Sequence, residues 1–216
     1  MVTSVAILIS GRGSNMVALI EAAHRTEFPA EIALVLSDKP DAEGLSKAKQ
    51  MGVTAEAINR SGFATRRDFE TALDARLRTA DIDLICLAGF MRLLSAEFVN
   101  EWRDKILNIH PSLLPSFKGL DTHRRAIEAG VRFSGCTVHI VRPAMDDGPI
   151  IAQAAVPVLP NDTEDSLADR ILNAEHRLYP LALSLVADGK SLITGATYRL
   201  DTDDWAETVL FNPQPD

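Results

Sequence analysis

The sequence predicts an α/β fold with a mostly parallel central sheet, helices on both faces and antiparallel strands in the C-terminal half. Three observations predict it. Short, continuously apolar runs alternate with helical patterns through the first half, and strands apolar on both faces belong in a sheet covered on both sides. Later, two long strand-like runs are joined by a link too short to hold a crossover helix. The 216 residues are 46% apolar and 24% charged, enough for one substantial core.

Val5–Ile9 is a run of strand formers, Gly11–Asn15 breaks it, and Met16–Ala23 reads as a helix. Ile32–Leu36 is the next strand, Leu45–Gln50 the next helix and Val53–Ile58 a shorter third strand. Phe63–Thr79 is helical and well charged, and Leu84–Ala88 is a fully apolar strand ended by Gly89. Ile106–Ile109 is strand-like and leads into a stretch rich in Pro and Gly. Gly135–Val141 and Ile150–Val158 are expected to pair antiparallel across the tight segment Pro143–Pro149. Thr163–Asp188 is the longest helical pattern, its apolar stripe formed by Leu167, Ile171, Ala174, Leu178 and Leu185. A small hairpin and a loose tail, Asn212–Asp216, close the chain.

The net charge of −8 argues against general binding to nucleic acid or an anionic membrane. Anionic small molecules remain open, provided that positive groups gather locally. Cys86 and Cys136 lie in apolar, strand-like runs and read as buried thiols, with neither a disulfide framework nor metal-site spacing. The N-terminus lacks the pattern of a signal peptide and no apolar run is long enough to span a bilayer, so the cytoplasm is the expected location.

Ser10-Gly11-Arg12-Gly13-Ser14-Asn15 follows the first strand and opens the first helix. Unpartnered N–H groups at a helix N-terminus favour an anion, and glycines let a phosphate approach the backbone. Ser14 and Asn15 can cap the helix or donate to phosphate oxygens. The alternative is a plain strand-to-helix turn. A dinucleotide fingerprint fails at its last glycine, where Met16 stands, although Asp38 could imitate the ribose-binding acid.

Asn108 and His110 sit two apart at a strand end, so both side chains point to one face, and Pro111 then stops regular pairing. An amide and an imidazole aimed at one point form an oxyanion-stabilising pair. The other reading is a loop-entry Asn bound to backbone beside a half-exposed His. Asp146 lies before Asp147-Gly148-Pro149. Near His110 it would favour the imidazolium and hold the ring; alone, it is a turn aspartate.

These blocks, with Leu87-Ala88-Gly89-Phe90-Met91-Arg92, Asn108-Ile109-His110-Pro111-Ser112-Leu113-Leu114-Pro115 and Gly119-Leu120-Asp121-Thr122-His123, resemble the folate-dependent formyltransferases over roughly residues 5–185. The glycine loop and the Gly-Leu-Asp-Thr-His segment narrow the resemblance to the glycinamide ribonucleotide branch. The tRNA branch of the family carries an added RNA-binding barrel and the formyltetrahydrofolate hydrolases an N-terminal regulatory domain. Neither is expected here.

The resemblance implies a Rossmann-like formyltransferase fold in one domain. Residues 1–105 would form the phosphate-binding half, 106–188 the catalytic and folate-binding half, and 189–216 the hairpin and tail. It implies formyl transfer from 10-formyltetrahydrofolate, a co-substrate, to the amine of phosphoribosylglycinamide in purine biosynthesis. No metal, nucleic acid or membrane is implied, and a homodimer is left open. Asn108, His110 and Asp146 match catalytic positions. Gly13, Ser14 and Asn15 match the phosphate loop, and Glu175 an acidic position on the same substrate. Arg66, Met91, Arg92, Leu93, Leu94 and the segment Arg142, Pro143, Ala144, Met145 and Asp146, with Asn108, match folate-binding positions. Two departures stand out: Arg12 replaces a small polar residue, and Asp147 stands where glycine is common and puts the conformation of that turn in question.

The expected mechanism is attack of the neutral amine on the formyl carbon. Protonated His110 and the Asn108 amide would stabilise the tetrahedral oxyanion, with His110 or a water held by Asp146 relaying protons. Arg66, Arg92 and Arg142 are candidates for local positive potential, or else solvated surface cations. His123 borders the motif, His139 reads as a satisfied core residue, and His24 and His176 have no ligating neighbours. A folate hydrolase, a nicotinamide-dependent oxidoreductase and a non-catalytic nucleotide-binding module are the competing readings.

Overall fold

The computed structural model describes residues 2–189, 191–194, 197–200 and 210–213. A seven-stranded sheet runs in the order β3-β2-β1-β4-β5-β6-β7. Its strands are β1 (Thr3–Ile9), β2 (Ala30–Ser37), β3 (Ala55–Ala57), β4 (Leu84–Leu87), β5 (Ile106–His110), β6 (Phe133–Ile140) and β7 (Ile150–Pro157). The first five pair in parallel, and β6 runs antiparallel to both β5 and β7. Successive crossovers go outward from β1 in one direction and then, through β4, in the other. That reversal leaves a crevice beyond the carboxyl ends of β1 and β4, where open sheets bind ligands.

The helices are α1 (Ser14–Ala23), α2 (Glu43–Gln50), α3 (Arg66–Thr79), α4 (Ala96–Glu101), α5 (Thr122–Glu128) and α6 (Glu164–Ala187). β1 shows why the sheet is covered twice. Val5, Ile7 and Ile9 enter one core with residues of α1, α2 and α6, while Ala6 and Leu8 enter a second core with α3 and α4. A strand with side chains alternating between two dry faces must be apolar throughout.

Local chemistry moved several boundaries. Thr65 and Asp68 form a capping box, so α3 begins at Arg66, three residues later than expected, and a 3-10 turn occupies Arg60–Gly62. Thr163 and Ser166 form another at the start of α6. The short α4 and α5 lie in segments where no helix was expected, because six or seven residues give too little periodicity to detect. The Leu114–Pro115 peptide is cis. The expected hairpin is present as β8 (Ser191–Thr194) and β9 (Thr197–Leu200), paired antiparallel. Residues 195–196 between them and 214–216 of the expected tail lie outside the described residues.

α6 is docked under the parallel strands by Tyr179. The ring is fully buried, and its hydroxyl lies 3.1 Å from the carbonyl oxygens of both Leu87 and Leu107, to which it donates. Glu175 precedes it by one helical turn and is therefore carried on the same face. Cys86 and Cys136 are buried and unbridged, and burial pushes both thiols up to about 12. No described helix is long and apolar enough to cross a membrane.

Candidate active site

The end of β5 carries Asn108 and His110 on one face, as their spacing requires. The antiparallel register sets Asn108 opposite His139 and His110 opposite Thr137. His139 is the satisfied core residue that the sequence suggests, and through Asn108 it also adjoins the cluster. It is 2% exposed, and burial lowers its affinity for a proton, keeping the ring neutral. Its Nδ1 lies 3.1 Å from the Ile140 carbonyl and so carries the proton. Nε2 is then an acceptor, and the Asn108 amide donates to it over 3.2 Å. That bond orients the Asn108 amide and leaves its second hydrogen without an acceptor among the described residues.

His110 is 6% exposed. Its Nε2 donates to the Phe117 carbonyl over 3.0 Å, and its Nδ1 lies 3.5 Å from Asp146 Oδ2. Both ring nitrogens face oxygen atoms. Asp146 reaches this position on the turn between β6 and β7, itself in the left-handed region at φ 51°. The question raised by Asp147 thus resolves differently: the residue with positive φ is Asp146, and Asp147 is free of it. Asp147 pairs instead with Lys118, whose ammonium lowers the carboxyl's pKa and ties the turn to the segment after β5. Asp146 Oδ2 also accepts from the Gly119 N–H over 2.9 Å, and Oδ1 lies 3.9 Å from His139 Nε2. Such anchoring offsets the strain of a non-glycine residue at positive φ.

The path from His110 to Pro115 is fixed by a buried hydroxyl. Thr137 Oγ1 donates to Ser112 O over 2.7 Å and accepts from the Leu114 N–H over 3.0 Å, while Gln153 Nε2 reaches it at 2.9 Å. Neither Thr137 nor Gln153 stood out in the sequence. The pairing of β5 with β6 is the signal that would have exposed Thr137 and His139 together.

On the other side of the crevice, Gly13 is the N-cap of α1 in the left-handed conformation (φ 69°) with no side-chain cap. Neither Ser14 nor Asn15 caps the helix. Asn15 Nδ2 donates instead to Glu175 Oε2 over 2.7 Å, joining the glycine loop to α6. Both side chains are over nine-tenths buried, and burial raises the Glu175 pKa against the opposing bond from Asn15. A carboxyl with a raised folded-state pKa contributes stability at low pH that is lost as pH rises through that pKa. Glu175→Gln keeps an acceptor for Asn15 and removes the ionisation. Its melting temperature is expected to match the wild type below the ordinary carboxyl range and to exceed it at higher pH. A pH-independent difference would rule out this account.

The 89–95 segment hangs between β1 and α3. Ser10 N–H donates to Gly89 O over 3.1 Å, and Met91 N–H donates to Ser10 Oγ over 2.8 Å. Ser95 donates through N–H and hydroxyl to the buried carboxylate of Glu70, an anchor the sequence did not reveal. Met91 and Leu93 are 68% and 69% exposed, while Leu94 packs against the second core. Arg66 is exposed at the start of α3, with Nε 3.9 Å from Glu70 Oε1. Arg92 Nε bonds the fully buried carboxylate of Asp38 over 2.6 Å, and its side chain remains 44% exposed. Arg142 is committed to Asp104 and to the Val141 carbonyl. Pro143, Ala144 and Met145 are exposed on the neighbouring turn.

Residues 3–183 match the family model described as Formyl transferase. The chain is 42% identical over 187 residues to the phosphoribosylglycinamide formyltransferase of Escherichia coli strain K12, covering 87% of this chain and 88% of that one. It is 50% identical over 192 residues to the trifunctional purine biosynthetic protein adenosine-3 of Drosophila melanogaster, 88% of this chain but 14% of that protein's length. The chain thus spans only a small part of the animal relatives it matches. The crystal structure of glycinamide ribonucleotide transformylase 1 from Symbiobacterium toebii superposes with a TM-score of 0.90 at 45% identity, covering 92% of this chain and 94% of that one.

Proposed function

The chain belongs to the formyl transferase family, and from that premise we propose that it transfers a formyl group from 10-formyltetrahydrofolate to the amine of phosphoribosylglycinamide in purine biosynthesis. The observation that carries this reading is the convergence of Asn108, His110 and Asp146 at the end of β5, facing the crevice bordered by the glycine loop.

The exposed apolar side chains of Met91, Leu93 and Met145, on two segments beside that cluster, suit a flat heterocycle such as a pterin. The partly exposed guanidinium groups of Arg92 and Arg66 suit the carboxylates of its tail. Bound there, the folate supplies an electrophilic formyl carbon. The residues do the rest. Gly13, Ser14 and Asn15 receive the acceptor's phosphate at the N-terminus of α1, and Glu175 faces its ribose or amine.

As the amine attacks, the free hydrogen of the Asn108 amide donates to the formyl oxygen, which gathers negative charge. The Nε2–H of His110 leaves the Phe117 carbonyl and donates to the same oxygen. Asp146 faces Nδ1, orients the ring and offsets its positive charge. It also holds the water through which the amine proton passes to the folate nitrogen. His139 keeps the Asn108 amide aimed.

The test is a spectrophotometric assay with 10-formyltetrahydrofolate, with and without glycinamide ribonucleotide. Deformylation that requires the ribonucleotide is expected. Deformylation without it would make the protein a hydrolase, and no turnover under either condition would overturn the reading.

A further inference from the structure

The glycine loop does not hold its shape by itself. Two carbonyl groups of the loop are gripped by α2. The Gly44 N–H donates to Gly11 O over 3.0 Å, and Lys47 Nζ donates to Arg12 O over 3.0 Å. In a planar trans peptide the C=O and the following N–H point in opposite directions. Holding the Gly11 and Arg12 oxygens toward α2 therefore turns the N–H groups of Arg12 and Gly13 the other way. Neither N–H has an acceptor among the described residues. With Gly13 in the left-handed conformation, successive N–H groups then form a concave nest suited to an anion.

Packing shows that α2 is fitted to this task. A Cβ on Gly44 would lie 2.4 Å from Ile9 Cδ1, 3.1 Å from Gly11 O and 3.4 Å from Gly13 Cα. A Cβ on Gly13 would in turn lie 3.2 Å from Gly44 Cα. Loop and helix thus touch backbone to backbone, which only glycine permits. Lys47 is the charged member of the contact. Glu43 stands 3.6 Å from its ammonium, at a largely exposed position where screening is strong. Ser14 of the loop and Lys47 line one cavity of about 610 Å³, together with Arg25, Arg177 and His176. Glu21 lines the same cavity, so its cations are partly balanced.

We propose that Lys47 is a positioning residue for the phosphate site: it holds the Arg12 carbonyl back and so aims the Gly13 N–H at the acceptor's phosphate, with Gly44 doing the same for the Arg12 N–H. This rests on the functional reading above, which places that phosphate at the loop. No group of Lys47 touches the reacting atoms.

Steady-state kinetics of Lys47→Met test it. The KM for the ribonucleotide is expected to rise about tenfold, the scale of one hydrogen bond to a charged group. The KM for the folate and kcat should stay within about twofold of wild type, as remote ground-state binding requires. Lys47→Arg, which can still donate to the Arg12 carbonyl, is expected to restore most of the affinity. An unchanged ribonucleotide KM in Lys47→Met would overturn the proposal. So would a parallel loss in both KM values and kcat, which would mark a general structural role. A phosphorus NMR titration with inorganic phosphate separates this from the functional reading. If the wild type transfers no formyl group, the functional reading fails, yet weaker phosphate binding by Lys47→Met would still uphold the brace. Equal phosphate binding by both proteins would sink it.

Discussion

His110→Ala is expected to lower kcat about a thousandfold, with Asn108→Ala close behind at a few hundredfold. The physical reason is directional. Neutral His139 orients the Asn108 amide, and Asp146 at Nδ1 and the Phe117 carbonyl at Nε2 hold the His110 ring. In the proposed mechanism the Asn108 hydrogen is already in place and the His110 Nε2–H turns from Phe117 O to the substrate oxygen, and both stabilise the developing charge. In the proposed mechanism both donors serve one oxygen, so the double variant should lose far less than the product of the single losses. The folded state should survive. Truncating His110 removes the bond to the Phe117 carbonyl and the contact with Asp146, a cost of about 1–3 kcal/mol. Thermal melts followed by circular dichroism would separate the two effects. A His110→Ala protein that melts near wild type and turns over within tenfold of it would remove His110 from the chemistry.

Gly148→Ala should damage both stability and turnover, although residue 148 carries no chemistry. A Cβ there would sit 1.6 Å from the Ile140 carbonyl oxygen and 2.8 Å from its carbon. Backbone on backbone has no flexible end to yield, and the turn cannot open freely because Ile140 N–H donates to Pro149 O over 2.9 Å. The 141–149 segment must therefore rearrange, at a cost of about 3 kcal/mol or more. Asp146 rides on that segment with its backbone at φ 51°. A displacement of about 1 Å is enough to cost on the order of a hundredfold in kcat. Gly130→Ala is the control. Gly130, unlike Gly148, has a positive φ, 65°, but a Cβ would meet nothing within 4 Å, so only about 1 kcal/mol of strain and no loss of kcat are expected. Equal behaviour of the two variants in denaturant melts and in kcat would refute the steric account.

Much of this molecule was legible before any coordinates. Val5–Ile9 and Leu84–Ala88 announce themselves as strands because both of their faces are dry, and composition then follows geometry. Asn108 and His110 share a face because a strand repeats every two residues. The glycine loop could be located because a strand-to-helix turn needs residues tolerant of left-handed backbone, as Gly13 shows. In each case the cause lies within a few residues of its effect, so sequence alone determines it.

Only the tertiary structure decided which groups meet. Asn15 finds Glu175 across 160 positions because Tyr179 docks α6 beneath β4 and β5. His139 joins Asn108 because β6 runs antiparallel to β5 in one register, and a slip of one residue would turn it to the other face. Asp146 reaches His110 because the turn after β6 folds back over the end of β5. Gly44 and Lys47 come under the glycine loop because α2 packs beside α1. Such contacts are stabilised by burial summed over the whole core, and burial is non-directional, so no local pattern encodes them.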